Sequence, residues 1–222
     1  MGWRVPLTRR RAALALRRTG SAARTVTGDA SHAVRRHLQP GRWTTTSPHR
    51  LLLVPARDVG LLTARRLPGD VRGRRIDGDW DLEALEVDGT GLARALRRHF
   101  VDGADWASSG LAEAGASPEA PGLGDRYRAM GPEDLARRAA TLDALHASLR
   151  EEGWQPHHDI GAPFGREMAV CLGRDGRLIR DHGGLHRLII ARLLDLDPIP
   201  VRLLAEHVAA PTRPLVCRRR TR

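Results

Sequence analysis

The residues best suited to chemistry lie in one short stretch, Asp181 to Arg187, with the sequence Asp-His-Gly-Gly-Leu-His-Arg. A dense apolar run follows and predicts a helix, so this stretch is interpreted as a loop that enters a helix N-terminus. Two glycines let the backbone approach a ligand closely, and the first amides of a helix favour an anion. Arginine adds a planar fork of donors that matches a phosphate. The pattern therefore predicts an anion site at Gly183, Gly184, His186 and Arg187. The alternative is a simple turn into a core helix.

Acidic and imidazole side chains beside this loop are the candidates for catalysis. Asp181 lies two residues before the first glycine, where a carboxylate suits the role of general base or metal ligand. His186, in the first turn of the predicted helix, is the second catalytic candidate.

A further group of carboxylates occurs upstream, in the sequence Asp77-Gly78-Asp79-Trp80-Asp81. Asp79 and Asp81 are predicted to hold a divalent ion, or to act as a base, if their loop folds over the glycines. The alternative is a turn whose aspartates bond their own backbone while Trp80 anchors it to the core. The cluster His157-His158-Asp159 is a weaker metal candidate, because no second ligand group lies at a zinc-like spacing.

The elements around the glycine loop are predicted from short apolar runs and turn residues. Met168–Leu172 is a five-residue apolar run that predicts a buried strand. Asp175-Gly176 predicts a tight hairpin turn, after which Leu178-Ile179 pairs back. Two prolines end the helix that follows the loop, because proline removes an amide donor and clashes with the preceding turn. Val201–Leu203 alternates in polarity and predicts a final strand.

Upstream of this region the pattern predicts one strand and three helices. Leu51–Val54 is the strand, and Val59–Arg66 is expected to be a short helix. Thr90 is a suitable cap for the next helix. Pro132 suits the first position of a longer helix, which Gly153 ends.

The order of motifs in this part of the chain resembles the ParB/sulfiredoxin superfamily. It consists of a strand, an Asp-Gly turn, Gly-x-His-Arg, an apolar helix, Ile-Pro-Val and a strand. Within the superfamily, the pattern is most similar to the ParB-like nuclease-domain proteins of unassigned role. The resemblance spans residues 126–207, and its matching residues are Asp175, Gly176, Gly184, His186, Arg187, Leu188, Ala191, Leu194 and Ile199-Pro200-Val201. It implies an α+β protein in which a small mixed sheet with helices forms the C-terminal domain. A mainly helical N-terminal extension would pack on this domain.

The common element of the superfamily is a nucleotide phosphate held at the same loop. The resemblance therefore implies that Gly183–Arg187 binds a nucleotide, ATP or CTP with Mg²⁺. Leu185 stands where sulfiredoxins carry a reactive cysteine, which argues against their chemistry. His186 stands where the partition proteins carry the first of two arginines, which argues against theirs.

The net charge of +11 is unevenly distributed along the chain. Residues 1–50 hold 11 arginines against one acid, whereas the rest of the chain is nearly neutral. The predicted organisation is a basic disordered leader over 1–50, an extension over 51–125, the ParB/sulfiredoxin-like domain over 126–210 and a basic tail over 211–222. Two cysteines form no disulfide framework, and no apolar run approaches the ~20 residues of a membrane span, so a cytoplasmic protein is expected.

Three functions are compatible with these patterns, and the sequence leaves open whether the protein is an enzyme. The first is nucleotide or phosphate binding at the glycine loop, with phosphoryl transfer or NTP hydrolysis as the possible reaction. The second is a nucleic-acid-binding accessory that uses the arginine-rich leader, in which case binding weakens steeply with salt. The third is a non-catalytic interaction protein that keeps the fold without turnover.

Overall fold

The structure is a computed structural model that describes residues 26–115, 127, 129–156 and 167–211. These residues form a mixed α+β structure with one mixed sheet. The strands are β1 (Leu51–Val54), β2 (Leu61–Leu62), β3 (Arg74–Ile76), β4 (Leu85–Glu86), β5 (Ala169–Leu172), β6 (Leu178–His182) and β7 (Ile199–His207). The helices of the described residues are α1 (residues 26–38), α2 (Gly91–Phe100), α3 (Pro132–Glu152) and α4 (Leu185–Leu193).

The sheet has the strand order β1-β7-β5-β6-β2-β4. β5 and β6 form the antiparallel hairpin predicted from the Asp-Gly turn, and Gly176 in that turn has a φ of 83°. β7 runs parallel to β5, and its other edge pairs with β1 over its first half and with β3 over its last three residues. The glycine loop connects the end of β6 to α4, which then leads back into β7.

Both faces of the sheet are covered. On one face α2, α3 and α4 bury the main hydrophobic core against β5 and β7, and Met168, Leu188, Ile190 and Val201 in this core have no exposed surface. On the other face a smaller cluster surrounds Cys171 and Leu204, with Leu67, Val71 and Trp80 packed against it. Because both of its faces are buried, β7 is buried along its whole length.

The N-terminal part of the chain departs from the predicted mainly helical extension. Residues 51–86 contribute four short strands to the same sheet as the C-terminal half. The helix expected over Val59–Arg66 is instead the two-residue strand β2, which pairs with β6 and β4. Strands of two or three residues are too short to show an alternating pattern, so only their pairing partners specify them.

The predicted disordered leader also needs correction where the structure describes it. Residues 26–38 are helical, and the segment after them lies against the sheet. His32 packs edge-on against Trp43, and the backbone N–H of Thr45 donates to the buried carboxylate of Glu206 over 2.7 Å. The segment is ordered by polar contacts with the sheet, which the scarcity of apolar residues in the sequence does not indicate.

Some predictions concern residues outside the described part of the chain. These are the first half of the leader, the His157-His158-Asp159 cluster and all but the first residue of the basic tail. None of the helices in the described ranges combines the length and apolar content that a bilayer-spanning segment needs.

Candidate functional site

The glycine loop adopts the backbone geometry that its sequence predicts. Gly183 has a φ of 75° and Gly184 a φ of 60° with a ψ of 19°, the left-handed conformation that a side chain disfavours. α4 begins directly after Gly184, whose carbonyl accepts the first helical bond from Leu188 N–H over 2.8 Å. Gly184 is the N-cap residue and provides no side-chain cap. The loop therefore turns the chain sharply at the positive end of the α4 dipole.

Arg187, in the first turn of α4, is half-buried beside the loop. Its guanidinium lies over the ring of Trp154, 4.2 Å from the centroid, and its Nη2 donates to the carbonyl of Gln155 over 2.7 Å. Burial lowers the pKa of Arg187, and the nearby carboxylate of Glu167 opposes that shift. The side chain is thus a partly desolvated cation held in place by a stacking contact.

Trp154 forms one wall of the loop. Its side chain is buried, and its Cη2 and Cζ2 atoms lie 3.6 and 3.7 Å from the point where a Cβ on Gly184 would stand. Met168 Cβ lies 3.5 Å from the same point, so two side chains cover this side of Gly184. The indole nitrogen Nε1 is on the same ring edge as Cζ2, and it is buried without a hydrogen-bond partner in the part of the chain that the structure describes.

Asp181 and His182, at the end of β6, form a hydrogen-bonded pair. The side chain of Asp181 is completely buried, and its Oδ1 accepts from Leu67 N–H over 2.8 Å. Its Oδ2 lies 2.5 Å from Nδ1 of His182, whose side chain is 24% exposed. Both oxygens of Asp181 are therefore engaged within the protein, and the imidazole bonded to this buried carboxylate is itself partly exposed.

His186 makes a different contact. Its Nε2 lies 2.8 Å from the hydroxyl of Tyr127, which is 1% exposed. The ring is thereby tied to a core residue, and this contact occupies one of its two nitrogens.

Arg180 adds a second guanidinium to the loop. Its Nε donates to the carbonyl of Gly183 over 2.8 Å, which fixes the first glycine. Burial lowers the pKa of Arg180 to about 10, and the charge of Asp181 partly opposes this shift. Two half-buried arginines, at positions 180 and 187, therefore flank the two glycines.

The predicted metal ligands Asp79 and Asp81 lie away from this loop. Both carboxylates contact the guanidinium of Arg174, with Nη2 2.9 Å from each of them. Arg174 lies in the β5–β6 turn, and Gly183 lies at the opposite end of β6, roughly 15 Å away at a strand rise of about 3.3 Å per residue. An arginine thus occupies the place predicted for a divalent ion. Within the described ranges, no three His, Cys, Asp or Glu side chains are grouped in a way that could hold a metal.

Four of the predicted site residues, Gly183, Gly184, His186 and Arg187, therefore lie in the turn and the first turn of α4, and Asp181 lies in β6 two residues before Gly183. The structure separates Asp79 and Asp81 from that group. Two participants, Trp154 and His182, were not predicted from the sequence. His182 carried a signal, because it lies between a candidate base and the glycines, but no local pattern links Trp154 to a loop 29 positions later.

Comparison of the chain with protein-family models, with curated proteins and with solved structures found no match. The resemblance to the ParB/sulfiredoxin superfamily accordingly stays a prediction from the sequence.

Proposed function

We propose that the loop Gly183–Arg187 binds the phosphate of a nucleotide. The observation that carries this proposal is the indole N–H of Trp154, a buried donor that has no partner among the described residues, on a ring whose Cζ2 lies 3.7 Å from the Cβ position of Gly184. A buried unpaired donor costs about 1–3 kcal/mol, and an anion at the loop would remove that cost. Within the described ranges Trp43 and Trp80 also bury indole nitrogens without a partner, so the donor of Trp154 is informative because of its position.

The charges around the loop support the same proposal. Burial lowers the pKa of both Arg180 and Arg187, which means that their charged forms are partly deprived of water. A phosphate would compensate both guanidiniums and would also meet the positive end of the α4 dipole. Two glycines with positive φ add no side chain to the turn, so an anion can approach its backbone on the side that Met168 and Trp154 do not cover.

Mg²⁺ would enter this site with the nucleotide. Both oxygens of Asp181 are already bonded, the carboxylates at 79 and 81 contact Arg174, and Glu167, close to Arg187, is completely buried, so the residues described around the loop offer no exposed carboxylate ligand. Mg²⁺ commonly keeps several waters and binds through substrate phosphates. ATP or CTP with Mg²⁺ is therefore the expected ligand, and the phosphates themselves would carry the ion.

Thermal unfolding with Mg²⁺ and ATP, CTP, ADP or inorganic phosphate tests the proposal. A ligand at 100 times its Kd stabilises the folded state by about 2.7 kcal/mol, which corresponds to roughly 5–10 °C in Tm for a chain of this size. The nucleotide-binding proposal requires such a shift with at least one of the nucleotides. The absence of any shift up to millimolar ligand would reject it.

Trp154→Phe and Trp43→Phe form a matched pair for this experiment. Each substitution keeps an aromatic ring and removes a buried indole N–H that has no partner. Trp154→Phe is expected to weaken nucleotide binding about tenfold, the equivalent of about 1.4 kcal/mol, because the ligand loses one buried hydrogen bond. Trp43→Phe is expected to leave the Kd unchanged, because Trp43 forms a β-bridge with Arg74 of β3, a strand that pairs with β7 and not with the β6 strand that leads into the loop. Equal effects of the two substitutions would show that the indole N–H is not part of the site.

A further inference from the structure

We propose that His182 is the general base of a nucleotide-hydrolysing reaction at this loop and that Asp181 is its positioning residue. The inference rests on the proposed function, because it takes the bound nucleotide phosphate as its substrate. It replaces the assignment of Asp181 as the base that the sequence favours.

Asp181 is poorly placed to accept a proton from a substrate. Its side chain has no exposed surface, and its two oxygens bond to Leu67 N–H and to Nδ1 of His182. A general base must come within hydrogen-bond distance of the proton it removes. A completely buried carboxylate with both oxygens engaged cannot do so unless the strand moves.

His182 has the features that Asp181 lacks. Its side chain is partly exposed, it directly precedes Gly183, and its Nδ1 bonds to the buried carboxylate over 2.5 Å. A carboxylate on Nδ1 holds the proton there, so that Nε2 carries the lone pair and can act as an acceptor. In the part of the chain that the structure describes, Nε2 of His182 has no hydrogen-bond partner, whereas Nε2 of His186 contacts Tyr127.

The proposed step is the hydrolysis of a terminal phosphoryl group. Nε2 of His182 accepts a proton from water as the water oxygen forms a bond to the terminal phosphorus. The bond between that phosphorus and the bridging oxygen breaks, and the nucleoside diphosphate leaves with the electron pair. The imidazolium then releases its proton to solvent, and the products are a nucleoside diphosphate and inorganic phosphate. Arg180 and Arg187 neutralise charge on the phosphates during this step.

The test measures phosphate release and nucleotide affinity on the same variants of the full chain, with MgATP and MgCTP as substrates. His182→Asn keeps a side-chain N–H that can reach Asp181 but removes the base. It is expected to lower kcat about 10²–10⁴-fold, the usual contribution of a general base, with Kd within about twofold of the wild type. His37→Asn, on the exposed surface of α1, is the matched control and is expected to leave both quantities unchanged.

Two further variants separate a catalytic role from a structural one. His182→Ala is expected to recover part of its rate when free imidazole is added, which a purely structural histidine would not show. Asp181→Asn is expected to lower kcat without raising KM, because it disturbs the orientation of the imidazole and not the phosphate contacts.

The outcomes distinguish this inference from the proposed function. If wild-type protein binds neither nucleotide, the proposed function fails and the base has no substrate. If it binds a nucleotide but releases no phosphate, or if His182→Asn hydrolyses as fast as the wild type, the assignment of His182 is wrong while nucleotide binding stands.

Discussion

Replacing Gly184 by alanine is the most direct test of the glycine loop. The residue has a φ of 60°, and a Cβ there would lie 3.5 Å from Met168 Cβ and 3.6 Å from Trp154 Cη2. These are ordinary van der Waals distances, so the methyl group fits without a clash. It would, however, press against the indole ring whose N–H is proposed to bind the anion, and it would stiffen the turn that must fit around the ligand.

The cost to stability follows from the backbone conformation. The left-handed region costs an L-residue about 1–2 kcal/mol relative to the right-handed one. Alanine also lowers the conformational entropy of the unfolded chain, and this offsets about 0.4–1 kcal/mol of the destabilisation. The expected net destabilisation is therefore about 1 kcal/mol, or a fall in Tm of about 2–4 °C. Gly103→Ala is the matched control, since Gly103 has a φ of 74° and nothing within 4 Å of its Cβ position.

Calorimetric titration of both variants with the nucleotide that stabilises the wild type completes the test. Both variants are expected to unfold at similarly lowered temperatures, but Gly184→Ala alone should bind at least about tenfold more weakly, a loss of about 1.4 kcal/mol. Equal nucleotide affinity in the two variants would refute the argument, because it would show that the backbone at Gly184 does not face the ligand.

Two further predictions concern the carboxylates that bind Arg174. Asp81→Asn should destabilise the protein by about 1.5–3 kcal/mol, because Asp81 is 3% exposed and accepts from both the backbone and the guanidinium of Arg174. Asp79→Asn should cost less than about 1 kcal/mol, because Asp79 is 78% exposed. Urea unfolding measures the free-energy change of each variant. A rise in Tm on addition of Mg²⁺ to the wild type that either substitution abolishes would instead support a metal site at these carboxylates. Burial raises the pKa of Asp81, but the bonds from Arg174 outweigh burial and hold the pKa below its ordinary value of 3.8. The stability that Asp81 contributes is therefore present above pH 3.8 and lost as the pH falls below it, and the stability difference between wild type and Asp81→Asn should shrink over that acidic range.

Many of the local features were correctly predicted from the sequence. Thr90 caps α2, and its hydroxyl accepts from Ala93 N–H over 3.1 Å. Pro132 begins α3 and Gly153 ends it with a φ of 69°. These features depend on the conformational preferences of adjacent residues, so a short window of sequence contains the information that specifies them.

The errors fall where pairing across the sheet overrides local preference. β2 was expected to be helical, but its two leucines form a short strand that pairs with β6 on one side and with β4 on the other. β7 extends over nine residues, although only three alternate clearly in the sequence, because β1, β3 and β5 all pair with it. In each case the strand is defined by partners that are distant in the chain.

The same division applies to the candidate site. The sequence by itself determined the two-glycine turn and the arginine in the first turn of α4, because positive φ and helix initiation are local properties of the chain. Only the tertiary structure decided which side chains surround that turn. It placed the edge of Trp154 against Gly184, bonded Asp181 to an amide 114 positions away and used the second oxygen of Asp181 to hold the ring of His182. It also placed the carboxylates of Asp79 and Asp81 against the guanidinium of Arg174, since a contact between distant segments depends on how the sheet aligns them.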